Sequence, residues 1–226
     1  MKPYVELARA QHSDGTQLVL MHRAGDYFIE MDGAALMSTR LTGTERALAE
    51  MAIAGLSGVK KPRVLIGGLG LGFTLGAALD ALPRNASVTV AEIFAPLVEW
   101  NRTYRFESGK DRLADPRVKM DLRDVVTVVR EASGGFDAIL LDVDNGPDSY
   151  CIRSNHRLYT PEGLSVIHRA LRPGGVLGVW SAESSPAFLR KLRKAGFDAE
   201  MKPARSVGRK GTRHAVLLGR KPAPRR

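Results

Sequence analysis

The feature that most constrains this chain is an apolar run, Val64-Leu65-Ile66, that leads straight into Gly67-Gly68-Leu69-Gly70-Leu71-Gly72. Glycines directly after a strand imply a turn that takes positive φ, or a backbone that something must approach closely. The flanking pattern says which architecture carries that turn. From Arg63 onward, segments of strand and helix character alternate. Strands are predicted at 64–67, 87–92, 118–121, 136–142 and 175–181, and helices at 72–81, 95–104, 124–132, 161–171 and 186–195. Two further strands, 199–202 and 215–219, should close the sheet as a hairpin. Ala138-Ile139-Leu140-Leu141 is apolar throughout, as in a strand covered on both faces. Such alternation means an α/β, doubly wound, Rossmann-like sheet of seven mostly parallel strands.

The first 41 residues read differently. Turn signals at Asp14-Gly15, Ala24-Gly25 and Asp32-Gly33 separate short apolar runs, so three or four strands should form a small antiparallel β-domain. It is too small for a core of its own and should pack on the larger domain or on a partner subunit. A helix then begins near Thr42, where Thr42-Gly43-Thr44-Glu45 fits a capping box. Leu48, Met51, Ala52 and Leu56 fall on one face, and Gly55 and Gly58 mark its end. The expected organisation is a β-hairpin domain over 1–41, a nucleoside-binding catalytic domain over 42–221 and a basic tail over 222–226.

With 226 residues, 44% of them hydrophobic and 26% charged, the chain can bury one substantial core. Its longest apolar runs are too short to span a bilayer, and Met1-Lys2-Pro3-Tyr4-Val5-Glu6 does not open a secretory signal, so a cytoplasmic protein is expected. The lone Cys151 forms no internal disulfide, and no Cys/His spacing suggests a metal. The net charge of +10 is concentrated in residues 190–226, where 13 Lys/Arg face only Asp198 and Glu200. Such a patch can attract nucleic acid or an anionic substrate. The bases lack the interleaved aromatics of a stacking platform, so a solvated face is favoured over RNA binding.

In a doubly wound sheet, ligands bind beyond the carboxyl ends of the strands where strand order reverses. That places a ligand at the glycine loop, with Gly67, Gly68, Gly70 and Gly72 shaping the backbone and the next helix offering free N–H groups. Glu92 ends the second strand, where an acid can accept both hydroxyls of a ribose. A dinucleotide would fit the same loop. Asp124, after the third strand, is placed instead to bond an adenine amino group, although Asp is equally favoured as a helix N-cap. Asp142 ends the fourth strand beside the expected reaction centre, with Asp144 close behind. The turn-rich run Asp144-Asn145-Gly146-Pro147-Asp148 is also consistent with a loop that satisfies its own backbone. Tyr159 is either a pocket wall or a packing residue.

The order of these elements, with Gly67 to Gly72, Glu92, Asp124, Phe136-Asp137-Ala138-Ile139-Leu140-Leu141-Asp142 and Leu158-Tyr159-Thr160-Pro161-Glu162-Gly163, resembles the spermidine synthase family of aminopropyltransferases. The resemblance covers nearly the whole chain. It implies the class I methyltransferase fold, a homodimer, and decarboxylated S-adenosylmethionine as donor with methylthioadenosine as product. It further implies that Glu92 holds the ribose, Asp124 the adenine, and that Asp142 accepts the proton of the attacking amine with Asp144 positioning the cation.

Three departures stand against that pattern. The family's Gly-Gly-Asp-Gly-Gly loop has Gly70 here in place of its aspartate. Its Asp-Ser-Ser-Asp-Pro motif reads Asp142-Val143-Asp144-Asn145-Gly146, and its Tyr-His-Glu segment is not recognisable around Thr44-Glu45-Arg46. Loss of the loop acid suits full S-adenosylmethionine, whose carboxylate an aspartate would repel. Carboxylates for a polycation would then come from Asp142, Asp144, Asp148 and Glu183. A methyltransferase yielding S-adenosylhomocysteine therefore stays open beside the aminopropyltransferase, and so does a non-catalytic nucleoside- or RNA-binding protein.

Overall fold

A computed structural model of the chain describes residues 2–12, 14–143, 146–147, 153–207 and 210–223. Four strands come first: β1 (Val5–Gln11), β2 (Gln17–Arg23), β3 (Asp26–Met31) and β4 (Ala34–Ser38), paired antiparallel in chain order. Ala24-Gly25 and Asp32-Gly33 are two-residue turns with both φ values positive, the geometry that matches strand twist in tight hairpins. This sheet buries Leu18, Leu20 and Ile29 against Leu71, Phe73 and Trp100 of the second unit, which supplies the core it cannot make alone.

The second unit runs α1 (Gly43–Ala54), β5 (Arg63–Gly67), α2 (Phe73–Ala81), β6 (Ser87–Ala91), α3 (Ala95–Tyr104), β7 (Val118–Asp121), α4 (Val125–Glu131), β8 (Phe136–Leu141), α5 (Pro161–Ala170), β9 (Leu171–Ser181), α6 (Pro186–Lys194), β10 (Asp198–Val207) and β11 (Lys210–Arg220). Its sheet has seven strands in the order β10-β11-β9-β8-β5-β6-β7. β5 through β9 pair in parallel, and β11 is antiparallel to both its neighbours. Alternate residues of β5 and β8 enter two apolar cores, Val64 and Ala138 on one face and Leu65 and Ile139 on the other. The seven-stranded, mostly parallel sheet with a small antiparallel sheet before it is the expected architecture. Strand order reverses at β5, which opens a crevice at its carboxyl end.

Two local expectations fail. Thr42 makes no side-chain cap on α1 and takes helical φ and ψ. The Glu45 carboxylate stays within the first turn: its Oε2 accepts from the Thr44 hydroxyl at 2.7 Å, and the N–H groups of Thr44 and Glu45 favour its ionised form. The closing hairpin is also longer than predicted, pairing Asp198 with Arg220 at one end and Val207 with Lys210 at the other. Pro203 marks a strand end in sequence, but β10 is an edge strand and tolerates a residue without an N–H.

Part of the basic excess is structural. Arg220 donates to the carbonyls of Gly55 (2.6 Å) and Gly174 (3.0 Å), and Lys221 Nζ donates to those of His168 (2.8 Å) and Leu171 (2.7 Å) at the end of α5. Lys191, Arg193 and Lys194 occupy the last turn of α6, where they complement the helix dipole. Elsewhere, Glu107 is buried between Arg46 and Arg112, each at 2.5 Å. The two guanidinium groups hold its carboxyl below the usual range against the cost of burial. This triad ties α1 to the segment that follows α3.

Candidate active site

β5 delivers the glycine loop to the crevice, and each glycine meets a different constraint. Gly67 ends the strand with no room above it: a Cβ would stand 3.0 Å from Val125 Cγ2 and 3.1 Å from Leu141 Cδ2. Gly68 has φ +82, and a Cβ there would lie 2.6 Å from the carbonyl oxygen of Asp142. Gly72 (φ +83) caps α2 without a side chain. At Gly70 (φ +51) a Cβ would meet the Met37 methyl at 2.9 Å and its sulfur at 3.0 Å. Asn101, which no sequence pattern singled out, fixes the loop: its Nδ2 donates to the carbonyls of Gly70 and Leu97, both at 2.8 Å. Asn101 sits in the second half of α3, where nothing local distinguishes it from a solvated asparagine.

Glu92 follows β6 and is buried. Its Oε2 accepts the Leu69 N–H and its Oε1 the Phe94 N–H, both at 2.8 Å. Burial pushes this carboxyl up, and the backbone N–H groups work against that shift. Because Leu69 belongs to the glycine loop, Glu92 ties the ends of β5 and β6 together. Asp124 is the N-cap of α4, with Oδ1 accepting the Val126 N–H at 2.8 Å, and it also lines the cavity.

A cavity of about 580 Å³ joins these groups to a second polar end. Asp142 follows β8 there, half-buried, with its Oδ2 accepting from the Thr74 hydroxyl at 2.7 Å. Burial pushes the Asp142 carboxyl up to about 7; the Glu45 carboxylate adds to the rise and the Thr74 hydroxyl opposes it. Glu45, Trp180, Ser206 and His214 line the same end, brought together from α1, β9, β10 and β11. The rings of Trp180 and His214 lie 5.2 Å apart, and Trp180 Nε1 and His214 Nδ1 are buried without a hydrogen-bond partner among the described residues. The N-terminal sheet and the link after it roof the cavity with Tyr4, Phe28, Met31, Met37 and Leu41.

Asp144, Asp148 and Cys151 lie outside the described residues. Tyr159 is a packing residue, 1% exposed and edge-on to Phe188 at 5.6 Å. Glu183 is exposed and does not line the cavity. Among the described residues no group of three or more His, Cys, Asp or Glu is placed to hold a metal ion. None of the helices described is long and apolar enough to cross a membrane.

No family model matches the chain. A polyamine aminopropyltransferase of Mycobacterium tuberculosis is 30% identical over 200 residues, which covers 83% of this chain and 36% of that protein. Polyamine aminopropyltransferase 2 of Pseudomonas aeruginosa is 32% identical over 130 residues, 55% of this chain and 35% of that protein. The chain thus spans little more than a third of the length of these relatives. Among solved structures, the spermidine synthase of Thermotoga maritima superposes with a TM-score of 0.74 at 17% identity, covering 96% of this chain and 72% of its own. A spermidine synthase in complex with a transition state analogue gives the same score and coverage at 18% identity. Identity that low establishes the shared fold, and the sequence relatives add descent: the chain is a spermidine-synthase-like protein.

Proposed function

We propose that this protein is an aminopropyltransferase that moves the aminopropyl group of decarboxylated S-adenosylmethionine to an amine, releasing methylthioadenosine. The observation that carries the reading is Asp142, a half-buried carboxylate beside the glycine loop with its carboxyl raised to about 7. A group so tuned is a base near neutral pH. The donor end fits an adenosyl ligand. The buried Glu92 oxygens each keep a lone pair for a ribose hydroxyl, the Asp124 carboxylate takes the adenine amino group, and the glycines let the backbone close on the ligand.

The donor's sulfonium supplies its own leaving group: the amine nitrogen forms the new C–N bond as C–S breaks, and the electron pair stays on sulfur. The protein's part is to hold amine and donor in line and to take a proton from the acceptor's ammonium, so that the neutral amine attacks. Asp142 Oδ1 is the acceptor, with Oδ2 held by Thr74. Asp144 assists with the cation in this proposal. A homodimeric, cytoplasmic enzyme completes it, supported by the lone Cys151 and by Tyr4, Val5 and Leu7 exposed at the free edge of the N-terminal sheet.

Gly70 favours a second reading. The donor tail would meet the Met37 thioether there rather than an acid, so the carboxylate of full S-adenosylmethionine is not repelled and methyl transfer remains available. Incubation with each donor and an amine panel separates the two readings. Methylthioadenosine is expected from the decarboxylated donor; S-adenosylhomocysteine from the full donor alone would overturn the first reading.

A further inference from the structure

The edge of the seven-stranded sheet opposite the cavity collects bases from most of the chain. Each helix runs back from the carboxyl end of one strand to the start of the next, so helix ends and strand starts share that edge. Arg130, Arg169, Lys191 and Lys194 stand in the last turns of α4, α5 and α6. Lys60, Lys61 and Arg63 lead into β5, and Arg84 leads into β6. All eight are exposed. The neighbouring acids are already engaged: Asp80, Asp115 and Asp137 pair with Arg112, Arg117 and Arg172. None of the eight bases is in an ion pair among the described residues. Helix dipoles favour a base in a last turn, but Lys60, Lys61 and Arg63 lie six or more residues beyond α1, outside that effect.

We propose that this edge docks double-helical nucleic acid through its phosphates, independently of the transferase reading. From β11 to β6 the edge spans four strand spacings, about 19 Å. A double helix presents one phosphate charge per ~1.7 Å of its axis, on the order of ten over that length. Such a row of anions suits exposed bases that no acid has claimed. No Phe, Tyr or Trp is exposed at this edge among the described residues, so a single strand finds no stacking platform. The large apolar side chains that are exposed, Tyr4, Val5, Leu7, Leu41 and Leu122, belong to the N-terminal sheet, the link after it or the carboxyl end of β7. A protein partner therefore finds no apolar anchor here. The cavity lies at the other end of the strands, which leaves docking and catalysis to separate surfaces. Residues 190–226 alone read as a solvated face; the fold adds Lys60, Lys61, Arg63, Arg84, Arg130 and Arg169 from outside that stretch.

Fluorescence anisotropy of the full chain with labelled duplexes of about 20 base pairs, one DNA and one RNA, tests this. Binding should fall about 10³-fold or more between 50 and 200 mM salt, and the two arms show which double helix is held. Lys60→Gln with Lys61→Gln, and separately Lys191→Gln with Lys194→Gln, should each weaken binding at least tenfold and flatten the logarithmic salt slope by about 2. Arg9→Gln with Arg40→Gln removes two charges from the N-terminal unit instead and should change neither quantity. Thermal unfolding checks that each variant folds, and should one lysine pair not fold, the other decides. No binding of either duplex at 50 mM salt, or an equal loss in the Arg9 and Arg40 variant, overturns the proposal. Tighter binding to a single strand of the same sequence, or to phosphatidylserine vesicles, overturns it as well.

Discussion

At the glycine-loop end of the cavity the polar groups come from the ends of β5, β6 and β7 and the turns after them, each a few residues from an apolar strand. At the opposite end, Glu45, Asp142, Trp180, Ser206 and His214 arrive from α1, the end of β8, β9, β10 and β11, spread over most of the chain. The glycine-loop end is tied to the backbone: Glu92 accepts two N–H groups, and Asn101 grips the Gly70 carbonyl. At the other end the carboxylates of Glu45 and Asp142 accept from the hydroxyls of Thr44 and Thr74. One end is a rigid cradle formed locally; the other is an electrostatic site that exists only once the sheet has closed.

Variants that strike one end and spare the other test that contrast. The largest effect is expected at Asp142. Asp142→Asn should lower methylthioadenosine release about 10²- to 10⁴-fold, the usual worth of a general base, while donor affinity stays within a few-fold. Steady-state kinetics with donor calorimetry reads both. A comparable loss of donor binding would mean that the two ends are not separable.

Next in size, Glu107→Gln leaves Arg46 and Arg112 facing a neutral partner. A buried pair broken on one side costs about 3–5 kcal/mol, and because Arg46 stays a third exposed we expect about 2–4 kcal/mol by urea unfolding.

Within the glycine loop, Gly68→Ala sets a Cβ against the Asp142 carbonyl at a φ of +82, and backbone cannot yield cheaply. Donor affinity should fall at least tenfold. Gly70→Ala meets only the flexible end of Met37 and should cost a few-fold at most. Equal losses at the two positions would contradict the loop geometry.

The smallest effect is a shift in pH dependence. Asp142 must be ionised to take a proton, so kcat/KM should rise with pH and level off above about 7. The Thr74 hydroxyl favours the ionised form, so Thr74→Val should move that limb to higher pH. Stability runs the other way. With a folded-state carboxyl raised above its ordinary value near 4, the unfolded chain ionises first, and stability falls as pH rises from about 4 to about 7. Between pH 5 and pH 8 the Tm of the wild type should therefore drop more than that of Asp142→Asn.

The contrast also explains what could be read in the sequence. Strand–helix alternation, the glycine loop, Glu92 and Asp124 are local signals, and the structure places all of them around one crevice. Asp142 was visible because it directly ends an apolar strand. Glu45 was read only as part of a helix start, because no local rule shows that the closed sheet sets it on the cavity wall. His214, Trp180 and Asn101 gave no signal, since only the pairing of β9 with β11 and the packing of α3 on the loop give them their neighbours. The full length of β10 was missed because its edge position, which tolerates Pro203, depends on the whole sheet order.

The most direct test of an Asp142-dependent aminopropyl transfer is to follow methylthioadenosine release from decarboxylated S-adenosylmethionine and 1,4-diaminobutane by the wild type and Asp142→Asn at pH 8. The expected result is release by the wild type, a loss of at least a hundredfold in the variant, and unchanged donor binding in both. Release that persists undiminished in Asp142→Asn, or no release from any primary amine, would contradict it.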